Sequence, residues 1–171
     1  MKHIVIVGAG QAGLQAAETL RAGGFDGPIT LLGDEAHLPY HRPPLSKAWL
    51  AGSLGADQLA MRTVAALERK QIAVRTGTKV VSIDTAGQSV ALADGGRLGY
   101  SGLLLATGAT PRTLPCAAAA TGAVRVLRSR DDADAISARL AHCAQRGLPL
   151  VVVGGGFIGL EVAATARQLG V

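Results

Sequence analysis

Aromatic side chains make up only 3% of this 171-residue sequence, so its core must be built from Val, Leu, Ile and Ala. No apolar run approaches the roughly 18 residues needed to span a bilayer. The N-terminal "MKHIVIVGAG" has one Lys and a short apolar run, but glycines interrupt it and no cleavage-like site follows. It reads as a first strand rather than a signal peptide, and the expected location is the cytoplasm. Cysteine is scarce too. Cys116 and Cys143 are far apart and lack CxxC spacing, which argues against a disulfide framework. Cys143 shares the apolar face of a predicted helix with Ala133, Ile136 and Leu140 and reads as a small core residue. Cys116 follows a Pro in an Ala-rich connection, with no base nearby in the sequence. His3, His37, His41 and His142 show no metal-ligand spacing, so no metal site is expected.

The net charge of +5 and the pI of about 9.8 raise the question of nucleic-acid binding. The Arg and Lys residues are scattered, however, and no aromatic platform lies between them. Neither a nucleic-acid nor a membrane partner is expected. Cofactor phosphates or an acidic protein partner account for the balance at least as well. What the chain has in quantity is hydrophobic residues, 49%, and 23 glycines, a composition that suits an α/β protein with many tight turns.

"KHIVIV", Lys2 to Val7, predicts a buried parallel strand. "GAGQAG" turns the chain, "LQAAETLRAGG" predicts a helix stopped at Gly23 and Gly24, and "PITLLGD" a second strand. Together these form a βαβ unit. "LPYHRPPLSK", Leu38 to Lys47, holds three prolines and reads as an ordered loop without regular structure. A helix is expected around Thr63 to Lys70. "IAVRTG", "TKVVSID", "SVALAD" and "RLGYSGLLLATG" are short runs separated by glycine turns, read as antiparallel, with "SGLLLATG" returning to the parallel sheet. "SRDDADAISARLAHCAQRG" predicts a helix opened by a Ser129/Asp132 capping box. "LVVVGGGFIGLEVAATARQLGV", Leu150 to Val171, reads as a strand, a glycine turn and another helix.

The last stretch repeats the first. A shift of 146 positions places Val5, Val7, Gly8, Gly10, Gly13, Leu14, Ala17, Thr19 and Arg21 on identical residues from Val151 to Arg167. Each copy is G-x-G-x-x-G between a predicted strand and helix. The first glycine permits the tight turn, the second lets a pyrophosphate approach the backbone, and the third lets helix and strand pack closely. The phosphate then sits on free N–H groups at the positive end of the helix dipole. An acidic residue about 20 positions further on should bind the adenosine ribose. "LLGDE" supplies Asp34 and Glu35, and Asp34 is preferred because it lies nearer the strand end. Two dinucleotide motifs on one chain point to electron transfer between two cofactors.

The stretches "IVIVGAGQAG", "LPYHRPPLSKAWLAG", "LLLATGATPR" and "VVVGGGFIGLEVA" resemble, in order and along the whole chain, the FAD-dependent pyridine-nucleotide oxidoreductases. Within them the likeness is to the ferredoxin reductase group, which includes putidaredoxin reductase and the reductases of aromatic-ring dioxygenases. Apoptosis-inducing factor shares the pattern. "PYxRPPLSK" is far more specific than the glycine motifs.

The resemblance implies an FAD/NAD(P)-binding Rossmann-like parallel sheet with an antiparallel β insertion, and a second Rossmann-like domain. Residues 1–112 would be the first segment of the FAD-binding domain and 113–171 the beginning of the NAD(P)-binding domain. Gly8, Gly10 and Gly13 would bind the FAD pyrophosphate and Asp34 its ribose. Arg42 and Lys47 would contact the phosphates or the flavin, where a cation stabilises anionic reduced flavin. Val81 would meet the adenine through its backbone, and Arg112 would reach back to the flavin side. Gly154, Gly156 and Gly159 would hold NAD(P)H, with Ile158 and Glu161 near the nicotinamide. Trp49 is expected to anchor the loop on the sheet.

The redox CxxxxC of the disulfide reductases is missing, and Ala36 stands where related oxidases carry a single Cys. No side chain is therefore required as nucleophile or acid–base; hydride transfer needs positioning and flavin electronics. The implied activity is electron transfer from NAD(P)H through FAD to a ferredoxin-type acceptor. The alternative is a flavin-bearing redox sensor resembling apoptosis-inducing factor. Because family members continue further, the chain is expected to be an N-terminal fragment without activity of its own.

Overall fold

The computed structural model describes residues 2–115 and 122–171, so Cys116 lies outside the described residues. The elements run β1 (Ile4–Val7), α1 (Gln11–Ala22), β2 (Ile29–Leu32), a 3-10 turn (Pro43–Ser46), α2 (Ala56–Leu59), α3 (Val64–Arg69), β3 (Ile72–Arg75), β4 (Val80–Asp84), β5 (Ser89–Leu92), β6 (Arg97–Gly99), β7 (Gly102–Leu105), α4 (Arg130–Arg146) and α5 (Phe157–Gln168). The chain divides into two compact units. One comprises Met1–Tyr40 with Ala60–Gly108, the other His41–Leu59 with Ala109–Val171. The segment His41–Leu59 thus packs with the later part of the chain.

In the first unit, a four-stranded sheet runs β3-β2-β1-β7 and every pairing is parallel. β1 is apolar throughout and β2 is buried throughout, Thr30 included, because both faces of this sheet are covered. Ile6 and Leu31 face α1, packing with Leu14 and Ala17. Val5 and Leu32 face the other way, against Val90 and Leu92 of a three-stranded antiparallel sheet, β4-β5-β6. The result is three layers: helix, parallel sheet, antiparallel sheet. Each fully buried Leu or Ile in them contributes about 1.5–3 kcal/mol relative to exposure.

β3 corrects the sequence reading. "IAVR" was expected among the antiparallel strands, yet Ile72–Arg75 pairs in parallel with β2. A four-residue run carries no mark of its partner's direction. Burial of Ile72 in the cluster with Ile29 and Leu67 decides it. The expected return of "SGLLLATG" to the parallel sheet holds, with β7 beside β1.

In the second unit, Leu50 packs with Ile136 and Leu140 of α4 and Ala166 of α5. α4 opens on the expected capping box, with both the Ser129 and Asp132 bonds present, and closes on Gly147 in the left-handed region. Its buried face is Ala133, Ile136 and Leu140; Cys143 beside them is half-buried. Two further expectations change. The proline-rich loop contains one 3-10 turn, because Pro43 and Pro44 occupy first-turn positions where no N–H is needed. Leu150–Val153 forms no strand, since no neighbour among the described residues supplies a ladder, and Val151 and Val153 are exposed.

Candidate cofactor-binding site

The first glycine turn lies at the carboxyl end of β1. There the sheet order switches, with β2 on one side and β7, reached after a long excursion, on the other. Such a switch point is where open parallel sheets take ligands. The Gly8 amide donates to the Leu32 carbonyl (2.8 Å), and the Ala106 amide after β7 donates to Val7 (2.7 Å). Gly8 has φ +114, and a Cβ there would lie 2.1 Å from the Ala106 carbonyl oxygen. A Cβ on Gly13 would lie 2.0 Å from the Gly8 carbonyl oxygen. A Cβ on Gly10 would meet nothing within 4 Å. Two of the glycines are therefore required by the protein's own backbone, and the middle one by nothing among the described residues.

Gly10 is the N-cap of α1 and makes no side-chain capping bond. The first intrahelical bond at this end is Leu14 N–H to the Gly10 carbonyl (3.0 Å). The amides ahead of it have no intrahelical acceptor and are donors for an anion. Open space beside Gly10, together with these donors and the positive helix end, fits a dinucleotide pyrophosphate.

At the end of β2, Gly33 passes so close to Ala9 of the turn that a Cβ would sit 2.6 Å from the Ala9 Cβ. The loop after it is tied to the β3–β4 turn through Thr78 N–H to the Gly33 carbonyl (2.6 Å) and Gly77 N–H to the Glu35 carbonyl (2.8 Å). Asp34 is exposed on this anchored loop. The Glu35 carboxylate instead accepts the hydroxyl of Tyr40, a buried residue whose ring also meets His37 edge-on. Of the two acids, Asp34 is thus the exposed one. Val81 sits where the β4–β5 register shifts between Val80 and Ser82. It has no Cα partner in that register, as the extra residue of a β-bulge does.

The second unit gathers a different set. Lys47 Nζ lies 2.7 Å from Glu161 Oε2, and the Ser46 hydroxyl donates to the same oxygen at 2.5 Å. Lys47 first, then Ser46, holds the Glu161 carboxyl below the usual carboxylate range. Lys47 Nζ also donates to the Pro43 carbonyl (3.3 Å), and Arg42 donates to the Arg128 carbonyl (2.7 Å). The described side-chain contacts of Trp49 are with α4. Its indole N–H donates to Asp134 (2.7 Å) and its ring lies under the Arg130 guanidinium at 4.7 Å, both on α4. An indole with its N–H satisfied by a carboxylate and its face by a cation is anchored firmly.

The second glycine turn repeats the first only in part. α5 begins after Gly156 as α1 does after Gly10, and a Cβ on Gly159 would lie 2.7 Å from the Gly154 carbonyl oxygen. Gly154 has φ +107, with nothing within 4 Å of an added Cβ, and Gly156 is equally open. Ile158 is 56% exposed, a large apolar side chain available to a ligand. Arg112 is exposed beyond β7.

Sequence reasoning missed Ser46, Tyr40 and Thr165. Thr165 is buried and donates to the Ser46 carbonyl (2.9 Å). The signal in the sequence is the identity of Thr165 with Thr19 in the repeat. Among the described residues no group of three or more His, Cys, Asp or Glu could hold a metal, and no helix is long and apolar enough to cross a membrane.

A glycine turn opening onto a helix N-terminus, at the switch point of a parallel sheet, defines a dinucleotide-binding α/β protein. The chain belongs to the family described as pyridine nucleotide-disulphide oxidoreductase, whose sequence model matches residues 2–171. It is 46% identical over 167 residues to rhodocoxin reductase of Rhodococcus erythropolis, covering 98% of this chain and 38% of that protein. It is 47% identical over 167 residues to putidaredoxin reductase CamA of Pseudomonas putida, covering 96% of this chain and 39% of that protein. The crystal structure of the ferredoxin reductase for the CYP199A2 system from Rhodopseudomonas palustris superposes with a TM-score of 0.91 at 40% identity, over 99% of this chain and 41% of that one. The chain thus spans about two-fifths of the length of these relatives.

Proposed function

We propose that the protein is a flavoprotein oxidoreductase that passes electrons from NAD(P)H through FAD to a ferredoxin-type iron–sulfur protein, in the cytoplasm. The observation that carries the reading is the first glycine turn, where Gly8 and Gly13 are demanded by backbone contacts and Gly10 is left open for a ligand. The names of the relatives, reductases of rhodocoxin and putidaredoxin, favour an electron-transfer enzyme over a redox sensor.

In this reading residues 1–112 form the first segment of the FAD domain, and 113–171 begin the NAD(P)H domain. Gly8, Gly10 and Gly13 shape the pyrophosphate cradle, Asp34 binds the adenosine ribose, and the bulge at Val81 offers backbone groups to the adenine. Arg42, Lys47 and Arg112 supply cations to the phosphates or the flavin. Gly154, Gly156 and Gly159 cradle the nicotinamide cofactor's pyrophosphate, with Ile158 and Glu161 on the nicotinamide side. When bound, FAD supplies the conversion of a two-electron hydride into single electrons. The chain's own residues position both cofactors and keep a cation–carboxylate pair, Lys47 and Glu161, in a fixed place. Both described contacts of Glu161 go to Oε2, which leaves Oε1 to accept from a ligand.

The test is NADH- and NADPH-driven reduction of a ferredoxin by the full-length, FAD-loaded protein, followed by the visible spectrum of the iron–sulfur cluster. Cluster bleaching that requires both the flavin and the nicotinamide supports the reading. A flavin-loaded protein that reduces no ferredoxin while changing oligomeric state with NADH sinks it in favour of the sensor.

A further inference from the structure

The two copies of the glycine motif carry different residues at one helix position and the same residue a turn later, with opposite fates. In α1, Gln15 and Thr19 are exposed and bond each other across one turn (3.4 Å). At the matching positions of α5, Glu161 and Thr165 both turn to Ser46. The Ser46 hydroxyl donates to Glu161 Oε2 at 2.5 Å, and its carbonyl accepts from the Thr165 hydroxyl at 2.9 Å. Ser46 and Thr165 are 4% and 5% exposed. The Lys47 and Glu161 side chains are 52% and 32% exposed.

The arrangement therefore has a dry end and a wet end. An exposed Lys on a flexible stem attracts a carboxylate but fixes it loosely. The buried Ser46 hydroxyl lies much nearer Glu161 Oε2 (2.5 Å) than its other acceptor, the Pro43 carbonyl (3.5 Å), and it fixes the carboxylate well, because leaving that hydroxyl poorly paired is costly. The bond from Thr165 immobilises the Ser46 backbone in turn, and residues four apart on α5 grip the same partner. Four charged groups on the segments packed with α5 have described partners other than Glu161. Arg42 donates to the Arg128 carbonyl, Asp132 caps α4, and Arg130 and Asp134 hold Trp49.

We propose that Ser46 and Thr165 are positioning residues for Glu161, fixing its carboxylate so that Oε1 faces the nicotinamide cofactor. The functional half of this inference rests on the reading of Glu161 as a nicotinamide-side residue; the structural half does not.

The test uses the full-length protein and four variants: Ser46→Ala, Thr165→Val, Thr165→Ser and Glu161→Gln. The first readout needs no cofactor. The 13C resonance of the Glu161 carboxyl, assigned by its loss in Glu161→Gln, is titrated with pH. Its midpoint rises in Ser46→Ala and Thr165→Val and stays in place in Thr165→Ser, which keeps the hydroxyl. The second readout is stopped-flow flavin reduction by NADH. Ser46→Ala and Thr165→Val slow it by about fivefold, the weight of one hydrogen bond, with FAD content unchanged and Thr165→Ser restoring the rate. A midpoint that moves in neither Ser46→Ala nor Thr165→Val overturns the positioning role, whatever the rates do. A midpoint that moves while Glu161→Gln reduces its flavin at the wild-type rate overturns the placement of Glu161 at the nicotinamide and leaves the structural link standing.

Discussion

Gly10→Val separates the ligand's demand for a glycine from the fold's. Gly10 has φ −96 and ψ −167, extended backbone that a β-branched residue adopts readily. A Cβ there meets nothing within 4 Å, and no capping side chain is lost. A side chain in place of glycine restricts the unfolded chain, a gain of about 0.4–1 kcal/mol. Val is a poorer N-cap than Gly by an amount of similar size. The two offset, so stability should stay within about 1 kcal/mol of the starting protein.

Gly8→Ala and Gly13→Ala behave differently. Their Cβ atoms would lie 2.1 Å and 2.0 Å from backbone carbonyl oxygens, which cannot swing aside like the end of a side chain. Overpacking costs about 1–3 kcal/mol. The φ of +114 at Gly8 adds conformational strain of about the same size. The effect of Gly10→Val falls on the ligand instead. A bond to a charged acceptor contributes about 1.5–3 kcal/mol. Losing two such bonds to the pyrophosphate weakens FAD binding by about 10²- to 10⁴-fold. Urea unfolding and flavin-fluorescence titration of the three variants check both halves. Wild-type FAD affinity in Gly10→Val, or a stability loss equal to that of Gly13→Ala, refutes the reasoning.

Lys47→Met should lower the flavin reduction potential and slow reduction by NADH, because a cation is lost while Glu161 keeps its charge; its ion pair is partly exposed and screened, so stability should change little. Spectroelectrochemistry showing an unchanged potential would return Lys47 to the surface. Because Lys47 and Ser46 depress the Glu161 carboxyl, the stability they lend is complete above the ordinary glutamate range and disappears as pH falls through the lower folded value. The fluorescence of Trp49, the sole tryptophan, reports the loosening of its segment in that acid window, and Glu161→Gln should abolish the transition. Trp49→Phe removes the bond to Asp134 and should destabilise by about 1 kcal/mol, read from thermal unfolding. Glu18, bonded by Arg62 at 2.8 Å and by Lys70 at 2.6 Å, is held below the usual carboxylate range by Arg62 first and then Lys70. Glu18→Gln should lower stability by about 1 kcal/mol at neutral pH, the difference vanishing once acid protonates the native carboxylate.

The parts of the fold written locally were legible from the sequence. β1, the glycine turns, the α4 capping box and the stop at Gly23 each depend on residues within one turn of chain. The parts decided by distant partners were not. "IAVR" carries nothing that says parallel; its place follows from pairing with Ile29–Leu32, some forty residues away. Trp49 gave no sign that its indole would find Asp134, 85 positions on. The Ser46–Thr165 bond spans 119 positions. Lys47 and Glu161 were both singled out by resemblance, for separate contacts, and only the three-dimensional structure makes them a pair.

The repeat shows what a motif does and does not encode. In both copies the third glycine lies against the carbonyl of the first, at 2.0 Å and 2.7 Å for an added Cβ, and the middle glycine is open. α1 and α5 start at the same motif position and each runs 12 residues. Even the shared Arg keeps its habit, Arg21 donating to the carbonyl of Phe25 and Arg167 to that of Val171, each four positions on. These features close within the turn and helix, so the nine shared residues are enough to specify them. Contacts outside the turn diverge. Gly8 is walled in by Ala106, whereas Gly154 meets nothing, and positions that hold a surface Gln15–Thr19 pair in one copy hold the Ser46-bound Glu161 and Thr165 in the other. A glycine pattern thus predicts a place for a pyrophosphate. What happens beyond the pyrophosphate is set by the neighbours that each copy acquires, and for the second copy that neighbour is the proline-rich segment carrying Ser46 and Lys47.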